Sequence, residues 1–129
     1  MPYLLKVSEQ DIAEKEVYLN AKGNAECVEF VRQTTSAPST PNWRKGMRVA
    51  DATLGQIQRG TAIATFDDTG HYPVDSRGRH AAIYLSHDRF QITVLDQWNS
   101  KGKVTRRSIG IGKKVTSRSN DGATFYVIE

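Results

Sequence analysis

The feature that most restricts this chain is a series of strand-length runs in its C-terminal two-thirds. "TAIATF" (61–66), "HAAIYLS" (80–86), "QITVLDQW" (91–98), "KVTRRSI" (103–109) and "ATFYVI" (123–128) are rich in β-branched and aromatic residues, the types that fit a pleated, half-buried surface. Turn words such as "DDTG", "NSKG" and "NDG" separate several of them. Connections this short can join antiparallel neighbours only, so the runs predict an antiparallel meander. The N-terminal third reads differently. "SEQDIAEKEVYL" predicts a helix capped by Ser8, with Asp11 three residues on as a variant capping box. "AECVEFVRQT" predicts a second helix with Asn24 as its N-cap and Val28 and Val31 on one side. "SAPSTP" (36–41) is a loop, and the stretch that follows reads as irregular apart from a helical turn around Ala52–Leu54. Helices first and strands after give an α+β fold, with the helices packed on one face of the sheet.

The 129 residues suit one domain over 1–129, large enough to bury a core without a metal or a disulfide. Hydrophobic residues at 38% and charged residues at 25% exclude a disordered chain. The absence of any apolar run of about 20 residues excludes a membrane-spanning helix. "MPYLLKVSEQ" lacks the basic start, apolar stretch and small-residue cleavage site of a secretory signal. Synthesis in the cytoplasm is expected, with any export by a route that reads no such signal. A net charge of +4 and a pI near 9.3 favour an anionic partner: nucleic acid, an anionic lipid surface, or a carboxylate-rich polymer such as bacterial cell wall. The basic residues come as pairs ("RRS", "GKKV") without interleaved aromatics, which argues against nucleic acid. "SIGIGKK" lacks the spacing of a phosphate-binding loop. No His/Cys/Asp grouping has metal-ligand spacing, and neither metal nor cofactor is expected.

"KGNAECVEF" (22–30) holds the single cysteine, Cys27. It reads either as a small buried hydrophobe or as a thiolate, since a helix N-terminus lowers a thiol pKa. A thiolate enzyme needs a base and a group to orient it. His71 lies in a loop beside Tyr72, His80 opens a strand, and His87 sits in a turn. If the runs 80–86 and 91–98 form a hairpin pairing Tyr84 with Ile92 and Ala82 with Val94, His80 falls opposite Asp96, with Cβ atoms about 5 Å apart. Asp96 lies on the apolar side of its strand with Ile92, Val94 and Trp98, where a carboxylate needs a partner. That partner is His80, or else backbone groups or an arginine such as Arg106. A register slip of one residue would separate His80 from Asp96 altogether. The residues thus support a constellation of Cys27 as nucleophile, His80 as general base and acid, and Asp96 as orienter.

"GNAECVEFV", "GTAIATF", "GRHAAIYL" and "VLDQW", in this order between Gly23 and Arg107, resemble the papain-like cysteine amidases of the NlpC and CHAP type. They are closer still to small bacterial cysteine amidases that include type VI secretion amidase effectors. The resemblance implies cleavage of amide bonds in peptidoglycan stem peptides or crosslinks through an acyl-enzyme, without a cofactor. By matched motif Cys27 is the nucleophile and His80 the base; Asp96 carries over more loosely, since relatives use acids, amides or histidine there. The glutamine that larger papain-type enzymes place before the cysteine is missing. The Cys27 backbone, with Asn24 or Tyr18, is left as oxyanion candidate, and His71, Tyr72 and Trp98 as cleft-lining candidates. The resemblance further implies export into the periplasm of target bacteria and a cognate immunity protein. The competing expectations are a Cys-His hydrolase or deamidase acting on another amide, and a non-catalytic wall- or nucleic-acid-binding module with Cys27 in its core.

Overall fold

The computed structural model describes residues 1–75, 77–112 and 117–129; the basic turn expected at "GKKV" lies largely outside them. Six strands form one antiparallel sheet: β1 (Lys45–Arg48), β2 (Ala62–Thr65), β3 (Ala81–His87), β4 (Gln91–Asp96), β5 (Thr105–Gly110) and β6 (Phe125–Ile128), in the order β1-β6-β2-β3-β4-β5. The expected meander holds from β2 to β5. The last strand leaves it and returns to the free side of β2, with Ile63 opposite Val127. Outside β6 lies β1, in a stretch where the sequence predicts irregular structure. Its "KGMR" shows no apolar alternation, and its place is set by backbone pairing of Lys45 with Ile128 and Arg48 with Tyr126.

Only one turn of the first predicted helix forms, α1 (Glu9–Ile12). Ile12 is its one buried residue, and Glu14 breaks the chain direction with φ 64°. The following residues pair with the segment before β5 instead: Glu14 N–H donates to the Val104 carbonyl and Val104 N–H to that of Glu16, both at 2.8 Å. The second helix, α2, runs from Cys27 to Thr34, with Glu26 and not Asn24 at its N-cap. Asn24 is drawn into a turn whose amide groups are held by the Asn20 side chain, the Asn24 N–H at 3.0 Å.

α2 turns Phe30 and Val31 onto the sheet, against Ala62, Ala64, Ala81, Ile83 and Leu95. Alanines at three of these positions let the helix lie close. Full burial of Phe30 or Ile83 contributes about 1.5–3 kcal/mol each. The opposite face is also buried: Val49, Ala52 and Ile57, from a segment with little regular structure, cover Ile63, Tyr84, Ile92, Val94 and Phe125.

The β3–β4 register corrects the sequence expectation. Tyr84 pairs with Val94 and Ile83 with Leu95, and a bulge at Leu85 shifts the far end to Ser86↔Thr93 and His87↔Ile92. The Asp88 side chain holds the turn by accepting from the Phe90 and Gln91 amides at 2.7 and 2.9 Å. The true register differs from the expected one by two residues on the His80 side of the bulge and by three beyond it. A two-residue shift leaves every side chain on its face, so His80 meets Asp96 diagonally and not directly across.

Candidate active site

Cys27 is the first residue of α2 and is half-buried. At that position its N–H has no intrahelical acceptor and feels the positive end of the helix dipole. His80 sits one residue before β3 and is 5% exposed. Its backbone is clamped by Thr65 of β2: the His80 N–H donates to Thr65 Oγ1 at 3.1 Å, and the Thr65 N–H donates to the His80 carbonyl at 3.0 Å. Thr65 Oγ1 in turn donates to the Gly78 carbonyl at 3.0 Å. Gly78 adopts φ +96°, and a Cβ there would stand 2.6 Å from the Arg118 backbone nitrogen, so this close approach requires glycine. Asp75 and Arg118 lock the same loop by a two-point ion pair at 2.8 and 3.0 Å.

The His80 ring bridges the other two groups. Nε2 lies 2.7 Å from Asp96 Oδ2, and the ring interacts with the Cys27 thiol as well, each group shifting the other's ionisation. Burial pushes the thiol pKa up. The hydrogen bond and charge of His80, the Ala81 amide and the Tyr72 hydroxyl outweigh it, so the net shift is downward. Burial works against the imidazolium as well, yet Asp96 and Cys27 raise His80 to about 9. The two shifts together favour a thiolate–imidazolium pair.

Asp96 is fully buried and carries more partners than the sequence suggested. Its Oδ2 also accepts from Arg107 Nε at 2.6 Å, and its Oδ1 from Lys101 Nζ at 2.7 Å. Lys101 is fixed further by the Asp96 carbonyl at 3.0 Å and Thr105 Oγ1 at 2.6 Å. The two readings of Asp96 thus coexist, with a histidine and an arginine on one carboxylate. The arginine is Arg107; Arg106 reaches Glu9 instead, at 3.4 Å. Burial alone would raise the acid, but His80, Arg107 and Lys101 hold it down at about 2. Lys101 and Arg107 also lie over the Trp98 ring, at 4.1 and 5.0 Å from its centroid.

A cleft of 830 Å³ opens over Cys27 and His80, and Tyr72, His71 and Trp98 all line it. The Tyr72 hydroxyl stands 3.8 Å from the Cys27 sulfur. His71 is exposed and is occupied by Thr69, whose hydroxyl lies 2.8 Å from Nδ1. Two candidates lie elsewhere. Asn24 is exposed in its turn, and the Tyr18 ring packs on Phe30 with centroids 5.5 Å apart. His87 is half-buried at the far end of β3, bonded to Tyr84 at 2.6 Å and to the Ala52 carbonyl at 2.8 Å. Sequence reasoning missed Thr65, Lys101, Arg107 and Gln97. Gln97 is fully buried; its amide donates to the Tyr18 and Glu26 carbonyls at 2.7 and 2.9 Å and accepts from Tyr18 N–H at 3.0 Å. A glutamine beside an acid at a strand end, in a chain with a helix-borne cysteine, was the available signal.

A cysteine at a helix N-terminus, set against a sheet-borne histidine and acid, places the chain in the papain-like class. Within that class it belongs to the domesticated amidase effector 2 family, whose family model matches residues 5–128. It is 31% identical to the type VI secretion amidase effector 2 protein of Salmonella typhi, over 88% of this chain and 98% of that one. It is 38% identical to domesticated amidase effector 2 of Ixodes scapularis, over 81% of this chain and 70% of that one. Among solved structures, type 6 secretion amidase effector 2 superposes with a TM-score of 0.73 at 29% identity, covering 91% of this chain and 90% of the other.

Proposed function

We propose that this chain, acting as one domain, is a cysteine amidase of NlpC/CHAP character that hydrolyses peptide bonds in peptidoglycan. The observation that carries the reading is the Cys27–His80–Asp96 relay at the floor of a cleft, its thiol lowered and its imidazole raised. In the first half-reaction the Cys27 thiolate bonds to the scissile carbonyl carbon and the C=O π pair moves onto oxygen. Collapse of that intermediate breaks the C–N bond, and the leaving nitrogen takes the proton held on His80. In the second, neutral His80 takes a proton from water, the hydroxide attacks the thioester, and the C–S bond breaks to restore the thiolate. Asp96 holds Nε2 throughout, which keeps the other ring nitrogen aimed at sulfur.

The relatives' names describe amidase effectors of type VI secretion. Wall peptide suits the charge of this chain, net +4, because peptidoglycan stems carry free carboxylates. Arg79, exposed in the cleft wall beside His80, offers such a carboxylate a cation. Delivery into the periplasm of target bacteria and a cognate immunity protein that occludes the cleft complete the reading. Incubating purified cell wall with the wild type and with Cys27→Ala, followed by analysis of the released muropeptides, tests it. Cleavage by the wild type alone is expected. No cleavage, or equal cleavage by both proteins, would sink the proposal.

A further inference from the structure

Sulfur attack needs donors waiting where the carbonyl oxygen becomes negative, and one backbone N–H is a thin complement. The helix start supplies the Cys27 N–H. The glutamine that could supply a second is absent upstream, and Gln97 is committed to two carbonyls. Tyr72 stands in the right place. Its hydroxyl is 3.8 Å from the Cys27 sulfur, close enough to reach an oxygen on a carbon bonded to that sulfur. The side chain is held rather than loose. Its ring packs edge-on against Trp43 with centroids 5.0 Å apart. Trp43 is itself buried and anchored by its indole N–H to the Pro38 carbonyl at 2.8 Å. Pro73, buried and next in sequence, restricts the backbone of Tyr72 as well.

We propose that Tyr72 is a catalytic residue whose hydroxyl, together with the Cys27 backbone N–H, binds the oxyanion of the tetrahedral intermediate. The proposal rests on Cys27 being the nucleophile. In the resting site the hydroxyl donates to the thiolate. As the C–S bond forms, negative charge leaves sulfur for the carbonyl oxygen, and the same O–H turns to follow it. No proton is transferred to or from Tyr72. Burial raises the phenol pKa, and the Cys27 thiolate raises it further, which keeps the group a donor while charge develops beside it.

The test compares wild type, Tyr72→Phe and Cys27→Ala on soluble muropeptides, with iodoacetamide alkylation of Cys27 followed across pH. Tyr72→Phe keeps the ring on Trp43. It is expected to lower kcat roughly 10²–10³-fold with KM within about twofold, and to leave the alkylation rate at alkaline pH unchanged. A kcat within about threefold of wild type would overturn the proposal. So would a loss that vanishes once the thiol is fully ionised, since the hydroxyl would then serve only the thiolate. Should Tyr72→Phe fail to fold, 3-fluorotyrosine at position 72 changes donor acidity at constant shape. A kcat that does not respond to it overturns the proposal equally. Inactive Cys27→Ala beside a fully active Tyr72→Phe would discard Tyr72 and leave the nucleophile standing, whereas active Cys27→Ala would discard both.

Discussion

At the scale of single residues, Asp96 decides the character of the site. It is a fully buried carboxylate among three cationic groups, His80, Lys101 and Arg107, and such a network is stable only when every member is satisfied. Asp96→Asn would leave Lys101 and Arg107 facing an amide. We expect a loss of about 3–5 kcal/mol in urea unfolding and a fall in kcat of up to about 10⁴, with the His80 pKa returning downward. The pH dependence of the wild type follows from the pair. In the proposed mechanism acylation needs the Cys27 thiolate and the His80 imidazolium together. Initial rates of kcat/KM should therefore rise through an apparent pKa below the ordinary thiol value of 9.0 and fall on an alkaline limb near 9. A rising limb at the ordinary thiol value would contradict the ion pair. The three residues proposed as a triad stand out in the sequence by type: a lone cysteine, few histidines, an acid on an apolar face. Lys101 and Arg107 do not, because a cation in a polar turn or on an edge strand reads as solvated until the chain path brings it inward.

Among the elements, strand existence was legible and strand placement was not. β-branched runs marked β2 to β6, whereas β1 has one apolar residue and is recruited by the backbone of β6. The turn falls where it displaces the expected hairpin register by three residues, and the bulge at Leu85, which leaves no mark on a pattern of alternating residues, takes one of them back. Parity survived, and with it the meeting of His80 and Asp96. The first helix stops after one turn because Ser8 makes no side-chain cap and only Ile12 is buried, after which the chain pairs beside β5. Thr65 shows how an element positions chemistry without taking part in it. Thr65→Val keeps the shape of β2 and removes the hydroxyl that links His80 N–H to the Gly78 carbonyl. We expect about 1–3 kcal/mol of destabilisation by thermal or urea unfolding. We also expect a several-fold drop in kcat with the overall sheet unchanged by circular dichroism.

For the molecule as a whole, the same ionisations tie activity to stability. Asp96 titrates at about 2 in the fold against an ordinary 3.8. Its contribution is complete above the ordinary value and is lost as pH falls through about 2. His80 is raised from 6.5 to about 9. Its contribution is complete below 6.5 and is lost as pH rises through about 9. Melting temperatures measured across pH should therefore fall as pH drops below about 4. Above 6.5 the lowered Cys27 thiol gains what the raised His80 loses, and the curve stays nearly level. A melting temperature that did not fall on the acid side would contradict the buried, ionised Asp96. Asp75, paired with Arg118 and held at about 2, steepens the acid side in the same sense.

Asp96 and Gln97 are consecutive, and they hold different things. The first grips the histidine ring, and the second grips the carbonyl of Glu26 at the root of the cysteine helix. One peptide group therefore serves as a common mount for both halves of the reaction centre. A displacement of the end of β4 would carry His80 and the start of α2 together. The arrangement tolerates displacement and is intolerant of spacing. A single glycine inserted between Asp96 and Gln97 would leave the sheet assembled and throw the thiolate and the imidazolium out of step.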